Sequence, residues 1–245
     1  MSRFTGKRVL ITGGTSGIGL AGAERIVREG GEVILTGTRP DRLKAVQEAL
    51  PGVTVLRNDA SDPEAADELA SAVAQVGPLH GLWLNAGYAD VAAVDEITAE
   101  FFDRMMRTNV RGPVLQLARL GGHLADGASV VVTSSTSTYE GSPMATVYAA
   151  TKGALVAVAR GWAAEFAGRG IRVNTLVPGA IDTDFRGFMP DEFRADFEAD
   201  VSGRTPLGRV GTANEAAAVA LFLLSDEASY VTASQYFVDG GLSRR

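Results

Sequence analysis

The stretch Lys7-Arg8-Val9-Leu10-Ile11-Thr12-Gly13-Gly14-Thr15-Ser16-Gly17-Ile18-Gly19 decides the fold. Val9, Leu10 and Ile11 make a continuous apolar run, the pattern of a parallel strand covered on both faces. Glycines follow at once, and then Ala21–Arg28 carries apolar residues at helical spacing. Glycine here lets the chain turn sharply and lets its backbone approach a pyrophosphate, whose charge a helix N-terminus favours. The spacing Gly-x-x-x-Gly-x-Gly is a variant of the dinucleotide fingerprint, and no lysine follows the last glycine as it would in a P-loop. A tight structural turn would look similar. The strand before and the amphipathic helix after favour a nucleotide site built from Gly13, Thr15, Ser16, Gly17, Ile18 and Gly19.

The same alternation continues outward. Strand patterns occupy Lys7–Thr12, Glu32–Thr36, Val53–Arg57, Gly81–Asn85, Ser129–Ser134, Arg172–Val177 and Gln235–Val238. Between them Ala21–Arg28, Asp62–Gln75, Ala99–Leu120, Val147–Gly168 and Asn214–Leu224 repeat apolar residues every three or four positions. The order predicts an α/β fold: a doubly wound (Rossmann-type) seven-stranded parallel sheet with helices on both faces. No linker or repeat divides residues 1–245, so one dinucleotide-binding and catalytic domain is the expectation. Residues 181–205 break the alternation and hold Phe185, Phe188, Phe193 and Phe197; a connection that long reads as a substrate lid.

Composition removes whole classes of chemistry. The chain of 245 residues has no cysteine and two histidines, His80 and His123, far apart in sequence. Disulfide frameworks, thiolate zinc sites, iron–sulfur clusters and cysteine nucleophiles are excluded, no metal site is expected, and a Ser-His-Asp triad has little to draw on. A net charge of −6 argues against nucleic acid. The longest apolar run, Ala216 to Leu224, is far short of the ~20 residues of a membrane span. Met1 to Lys7 lack the apolar core of a signal peptide. No membrane association and a cytoplasmic location are expected.

The residue that reads the adenosine ribose belongs at the end of the second strand, where the sequence is Thr36-Gly37-Thr38-Arg39-Pro40-Asp41. A carboxylate there would pair with a ribose hydroxyl and indicate NAD, and none is present. Asp41, after the proline, reads as a helix-start residue. Arg39 with the hydroxyl of Thr38 suits a 2′-phosphate, since guanidinium–phosphate contacts are charge-assisted. NADP is the expected cofactor, with NAD possible; the alternative for Arg39 is a solvated loop charge.

Tyr148 and Lys152 stand four apart at the start of a strong helical segment, hence on one face. A tyrosine with a reference pKa near 10 is a poor base at neutral pH. Lowering it by roughly 3 units takes roughly 4 kcal/mol, about what an ammonium at ~4 Å supplies at an effective dielectric of ~20. Such a pair beside a nicotinamide can exchange a proton with a substrate hydroxyl without metal or histidine. Ser135 ends an apolar strand at the edge where such sheets bind ligands, so its hydroxyl can hold the substrate oxygen. Ser134 competes for that role, but strand alternation turns one of the two away.

With these residues assembled, the chain resembles the short-chain dehydrogenase/reductase family over nearly its whole length. The likeness rests on the Thr12–Gly19 turn, Asn58-Asp59-Ala60, Asn85-Ala86-Gly87, Asn109, Ser135, Tyr148-x-x-x-Lys152, Pro178-Gly179, Pro206-Leu207-Gly208-Arg209 and Val238-Asp239-Gly240-Gly241. It implies that Asp59 and Ala60 contact the adenine and that Asn85, Ala86 and Gly87 steady the central strand beside the cofactor. Tyr148 would act as proton donor or acceptor, and Lys152 would also bind the nicotinamide ribose. Asn109 would kink its helix and hold a water in a relay from Lys152. Pro178, Gly179, Ile181 and Thr183 would border the nicotinamide end. Thr38 stands where many NADP-dependent members carry arginine, and Ala233 where glycine is usual.

Substrate contacts are expected from Tyr139, Met144, Phe185 and Phe188, with Ser142 and Pro143 in the same wall. Phe193, Phe197 and Val201 recur every four residues and read as a helix face packed on the body. The substrate expected is a medium-sized hydrophobic ketone or secondary alcohol. The alternative is a β-ketoacyl carrier- or CoA-thioester, for which Arg104, Arg107 and Arg111 offer basic groups. A third reading is a catalytically silent nucleotide-binding regulator, which the intact Ser135/Tyr148/Lys152 set opposes. A homotetramer or homodimer is implied by the resemblance, through Ala99–Leu120 and Val147–Gly168.

Overall fold

The computed structural model describes residues 2–187 and 191–244. Its elements run β1 (Arg8–Ile11), α1 (Gly17–Arg28), β2 (Glu32–Gly37), α2 (Pro40–Ala49), β3 (Thr54–Arg57), α3 (Ala65–Val76), β4 (Leu79–Leu84), α4 (Ala99–Met106) and α5 (Gly112–Leu120). There follow β5 (Leu124–Thr133), α6 (Ser137–Glu140), α7 (Thr146–Phe166), β6 (Arg172–Pro178), β7 (Ile181–Asp182), α8 (Asp191–Arg204), β8 (Gly211–Thr212), α9 (Ala213–Leu224) and β9 (Gln235–Val238). Seven strands form one sheet in the order β3-β2-β1-β4-β5-β6-β9, with every neighbouring pair parallel. The direction of winding reverses between β1 and β4, and that switch point opens a crevice at the carboxyl ends of the strands.

Because successive strand residues face opposite sides, each apolar run feeds two cores. Val9, Ile11, Trp83 and Val131 pack with Ala23 and Ile26 of α1 and Ala217, Ala220 and Leu221 of α9. Leu10, Leu82, Val130 and Val132 pack with Leu69 and Val73 of α3, Leu117 and Leu120 of α5, and Leu155 and Ala159 of α7. Burying each such side chain contributes about 1.5–3 kcal/mol, so the alternation that looks like plain hydrophobicity in sequence is what clamps two helical layers.

Three departures from the sequence expectation bear on the site. The helix expected over Ala99–Leu120 is interrupted by a π-helical turn at Arg107–Arg111, where the chain takes up an extra residue and buries Asn109 completely. The helix start read at Pro40-Asp41 extends into a ten-residue helix, α2, whose further course the sequence pattern does not mark. The 181–205 segment is a two-residue strand paired with β8, a short 3-10 turn at Asp184–Arg186, and the helix α8.

Candidate active site

The glycine-rich turn leaves β1 and enters α1 under tight constraint. Gly13 has φ +64°, and a Cβ there would stand 2.8 Å from the Ala86 Cα. Thr12 locks the turn to the next strand: its hydroxyl oxygen accepts from the backbone N–H of Asn85 (3.0 Å) and Ala86 (3.1 Å). The Asn85 amide donates to the Gly13 carbonyl (3.2 Å), and the Thr133 hydroxyl donates to Asn85 Oδ1 (3.2 Å) while accepting from the indole N–H of Trp83 (2.9 Å). Ser16, at the N-cap of α1, makes no side-chain cap hydrogen bond, so the first amides of α1 have no intrahelical or N-cap partner. A cradle closed to Cβ atoms and ending in such amides fits a pyrophosphate.

A cavity of about 1240 Å³ runs from this turn across the sheet edge. Gly13, Thr15, Ser16, Gly17 and Ile18 line it, as do Thr38, Arg39, Asp59, Ala60, Asn85, Ala86, Gly87, Pro178, Gly179, Ile181 and Thr183. Gly19 is outside this lining: a Cβ there would meet the Gly13 carbonyl oxygen at 2.6 Å, so its role is close packing beneath the turn. At the β2 end of the cavity Arg39 pairs with Asp41 (2.6 Å), both well exposed, and Arg42 pairs with Asp184 in the segment after β7 (2.9 Å). Arg42 lies one helical turn beyond Arg39, the one signal that could have identified it.

At the other end α7 presents Tyr148 and Lys152 in its first two turns. Ser135 and Tyr148 hydrogen-bond through their side chains. The backbone N–H of Ser137 donates to Ser135 Oγ (3.2 Å). Ser134 turns away and donates to the Lys152 carbonyl (2.9 Å), which leaves Ser135 as the serine that faces Tyr148. Lys152 is buried, its ammonium donating to the Thr133 carbonyl (3.0 Å) and lying 5.8 Å from the Tyr148 ring centroid. Burial pushes the Lys152 ammonium down to about 8. Burial also pushes Tyr148 up to about 12, opposed only in part by the Ser135 hydrogen bond. Desolvation thus works against ionisation of Tyr148, and the Lys152 ammonium beside its ring is the cation available to offset it.

Asn109 sits one layer behind the cavity wall. Its Oδ1 accepts from the Tyr88 N–H (2.7 Å), and its Nδ2 donates to the Tyr88 carbonyl (2.7 Å) and the Thr151 hydroxyl (3.1 Å). The π turn thus anchors the segment after β4 to the helix that carries Tyr148 and Lys152.

Of the expected substrate wall, Ser142, Pro143, Met144 and Phe185 line the cavity, with the Phe185 ring centroid 6.2 Å from that of Tyr148. Tyr139 requires correction: it stacks on Phe237 (5.1 Å) and donates to Gln235 Oε1, away from the cavity. Its position on α6 directs it to β9, a register no local pattern announces. Phe188 and the side chain of Phe193 lie outside the described residues. Phe197 and Val201 line the cavity, so their helix face meets the cleft as well as the body. Arg104 also lines it, as do Tyr88, Asp90 and Leu242, which carried no sequence signal. Asp90 accepts from the Tyr88 hydroxyl (2.8 Å) and from Arg104 (2.7 Å). His80 Nδ1 accepts from the Arg8 N–H (3.1 Å), a structural contact away from the cavity.

Comparison with known proteins gives a consistent result. The family described as enoyl-(acyl carrier protein) reductase matches residues 13–243. A 3-oxoacyl-[acyl-carrier-protein] reductase of Thermotoga maritima is 37% identical, over 98% of this chain and 99% of its own. An NADP-dependent (R)-specific alcohol dehydrogenase of Lentilactobacillus kefiri is 33% identical, over 98% of this chain and 97% of its own. The solved short-chain dehydrogenase/reductase of Serratia marcescens superposes with a TM-score of 0.91 at 31% identity, covering 98% of this chain and 99% of its own.

Proposed function

The chain belongs to the short-chain dehydrogenase/reductase family, an oxidoreductase acting on CH–OH groups, and we propose that it moves a hydride between NADP(H) and a medium-sized hydrophobic ketone or secondary alcohol. The observation that carries this reading is one cavity with the glycine cradle at one end and the Ser135–Tyr148 pair beside Lys152 at the other. A bound nicotinamide dinucleotide would supply the hydride or accept it. Its pyrophosphate would lie on Gly13, Ser16, Gly17 and Ile18, its adenine against Asp59 and Ala60, and its nicotinamide ribose on Lys152.

In the reductive direction Tyr148 is protonated at neutral pH, since burial holds its pKa high. Ser135 donates a hydrogen bond to the substrate oxygen, its own oxygen already satisfied by the Ser137 N–H. Tyr148 gives its proton to that oxygen as the new C–H bond forms, and the Lys152 charge stabilises the tyrosinate left behind. In the oxidative direction the same proton returns to Tyr148. Asn109 holds the 87–88 segment and Thr151 in register with this pair.

Arg39 reads the 2′-phosphate after exchanging its pair with Asp41, and Arg42 adds a second cation on the same rim. Arg104, Arg107 and Arg111 are engaged with Asp90, Asp103 and the Ser61 carbonyl, which speaks for a free ketone over a thioester on an acidic carrier.

The test is oxidation of NADPH and NADH across ketones, β-ketoesters and β-ketoacyl thioesters. NADPH with hydrophobic ketones is the expected pair, and Arg39→Ala is expected to raise the NADPH KM about 10-fold with little effect on NADH. A wild-type preference for NADH overturns the cofactor reading. Faster turnover of thioesters than of any free ketone puts the carrier-linked reaction in its place.

A further inference from the structure

Beyond β9 the chain makes a turn that the proposed chemistry leaves unused. The Asp239 carboxylate gathers it, accepting from the N–H of Gly241 (2.9 Å) and Ser243 (3.0 Å) and from the Ser243 hydroxyl. The turn is clamped on two sides. Towards the lid, a Cβ on Gly240 would stand 2.6 Å from Thr205 Cγ2 and one on Gly241 2.9 Å from Pro206 Cγ, while the Leu207 N–H donates to the Gly240 carbonyl (3.2 Å). Towards the sheet, a Cβ on Gly179 would stand 2.8 Å from Asp239 Cβ, and the Gly179 N–H donates to the Val238 carbonyl (3.0 Å). One step further, the Thr136 N–H donates to the Pro178 carbonyl (2.9 Å), so the turn is tied through β6 to the residue after Ser135.

The consequence is the placement of Leu242. It is 8% exposed and lines the cavity together with Phe185, Phe197 and Val201. Solvent-facing residues of a turn are normally polar; this one turns an aliphatic side chain inward and fixes it there by five hydrogen bonds and three close glycine contacts. Resting on the ketone reading above, we propose that Leu242 is a specificity-determining residue, the apolar wall against which the larger substituent of the carbonyl substrate packs. The substrate class this selects is a ketone with a branched aliphatic or aryl group on one side. A charged or strongly hydrated group against Leu242 would lose its hydration with no partner in return.

The experiment compares wild type, Leu242→Ala and Leu242→Trp on a methyl ketone series from the smallest to aryl ketones, with NADPH affinity and thermal unfolding measured on each. In the alanine variant the ratio of kcat/KM for aryl over smallest ketone is expected to fall about 10-fold, carried by KM. In the tryptophan variant the same ratio falls further because the wall advances into the space the substituent needs. Equal changes for small and large ketones in both variants would mark Leu242 as structural and overturn the proposal alone. A wild-type protein inert towards the whole series overturns the underlying reaction, and the proposal with it.

Discussion

The two halves of the cleft are made of different material. The half proposed for the cofactor is largely backbone: Gly13, Gly17, Gly87 and Gly179 and the N-terminal amides of α1, placed at the ends of β1, β4 and β6. The half proposed for the substrate is side chain: Tyr88, Met144, Phe185, Phe197 and Leu242, each delivered by a segment outside the sheet. A backbone cradle is set by strand register, and at Gly13 and Gly179 it leaves no room for a Cβ. A side-chain wall can change residue by residue while the strands stay as they are. The reaction and the substrate are therefore stored in parts of the molecule that can vary separately.

The largest expected effect comes at the boundary between the halves. Tyr148→Phe keeps the ring that meets Phe185 and removes the hydroxyl, and kcat should fall about 10²–10⁴-fold in steady-state assays. A loss below tenfold would place the proton elsewhere. In the cofactor half, Gly13→Ala forces a methyl against the Ala86 backbone at a positive φ. NADPH titration should show Kd raised at least ~10-fold, about 1.4 kcal/mol, with ketone KM moved far less. An unchanged Kd would erase the contrast drawn above.

The smallest effect tests the substrate half. Met144 has φ +63°, is about half exposed, and its carbonyl accepts from the Ala92 N–H (3.0 Å). That backbone conformation costs a non-glycine residue about 1 kcal/mol, so Met144→Gly should raise Tm by about 2–4 °C while loosening substrate selection. A lower Tm would mean that the contacts of the Met144 side chain outweigh the strain.

What could be read in advance divides along the same line. Val9-Leu10-Ile11 and Val130-Val131-Val132 announce buried parallel strands, because only a strand covered on both faces can be apolar at every position. The glycine turn and Tyr148/Lys152 are legible because their spacing is local and their chemistry demands those residue types. Arg42 needed α2 to bring it beside Asp184, and Tyr139 needed α6 to turn it towards β9. The helical pattern continues on both sides of the π turn at Asn109, so only the family resemblance, which implies a kink there, announced it. Leu242 reaches the cleft only because Asp239 and two glycines fold its turn back against Thr205 and Pro206.

By itself, then, the amino-acid order determined the strand–helix alternation, the glycine-rich turn after β1 and the identity of the Ser135, Tyr148 and Lys152 set. Each depends on residues close in the chain, whose periodicity and spacing act before any long-range contact forms. The tertiary structure decided which serine faces the tyrosine, how far Lys152 lies from it, and which side chains close the cavity. Those outcomes are settled by burial and by contacts between different elements, such as Ser134 with the Lys152 carbonyl and Arg42 with Asp184, for which sequence carries no period.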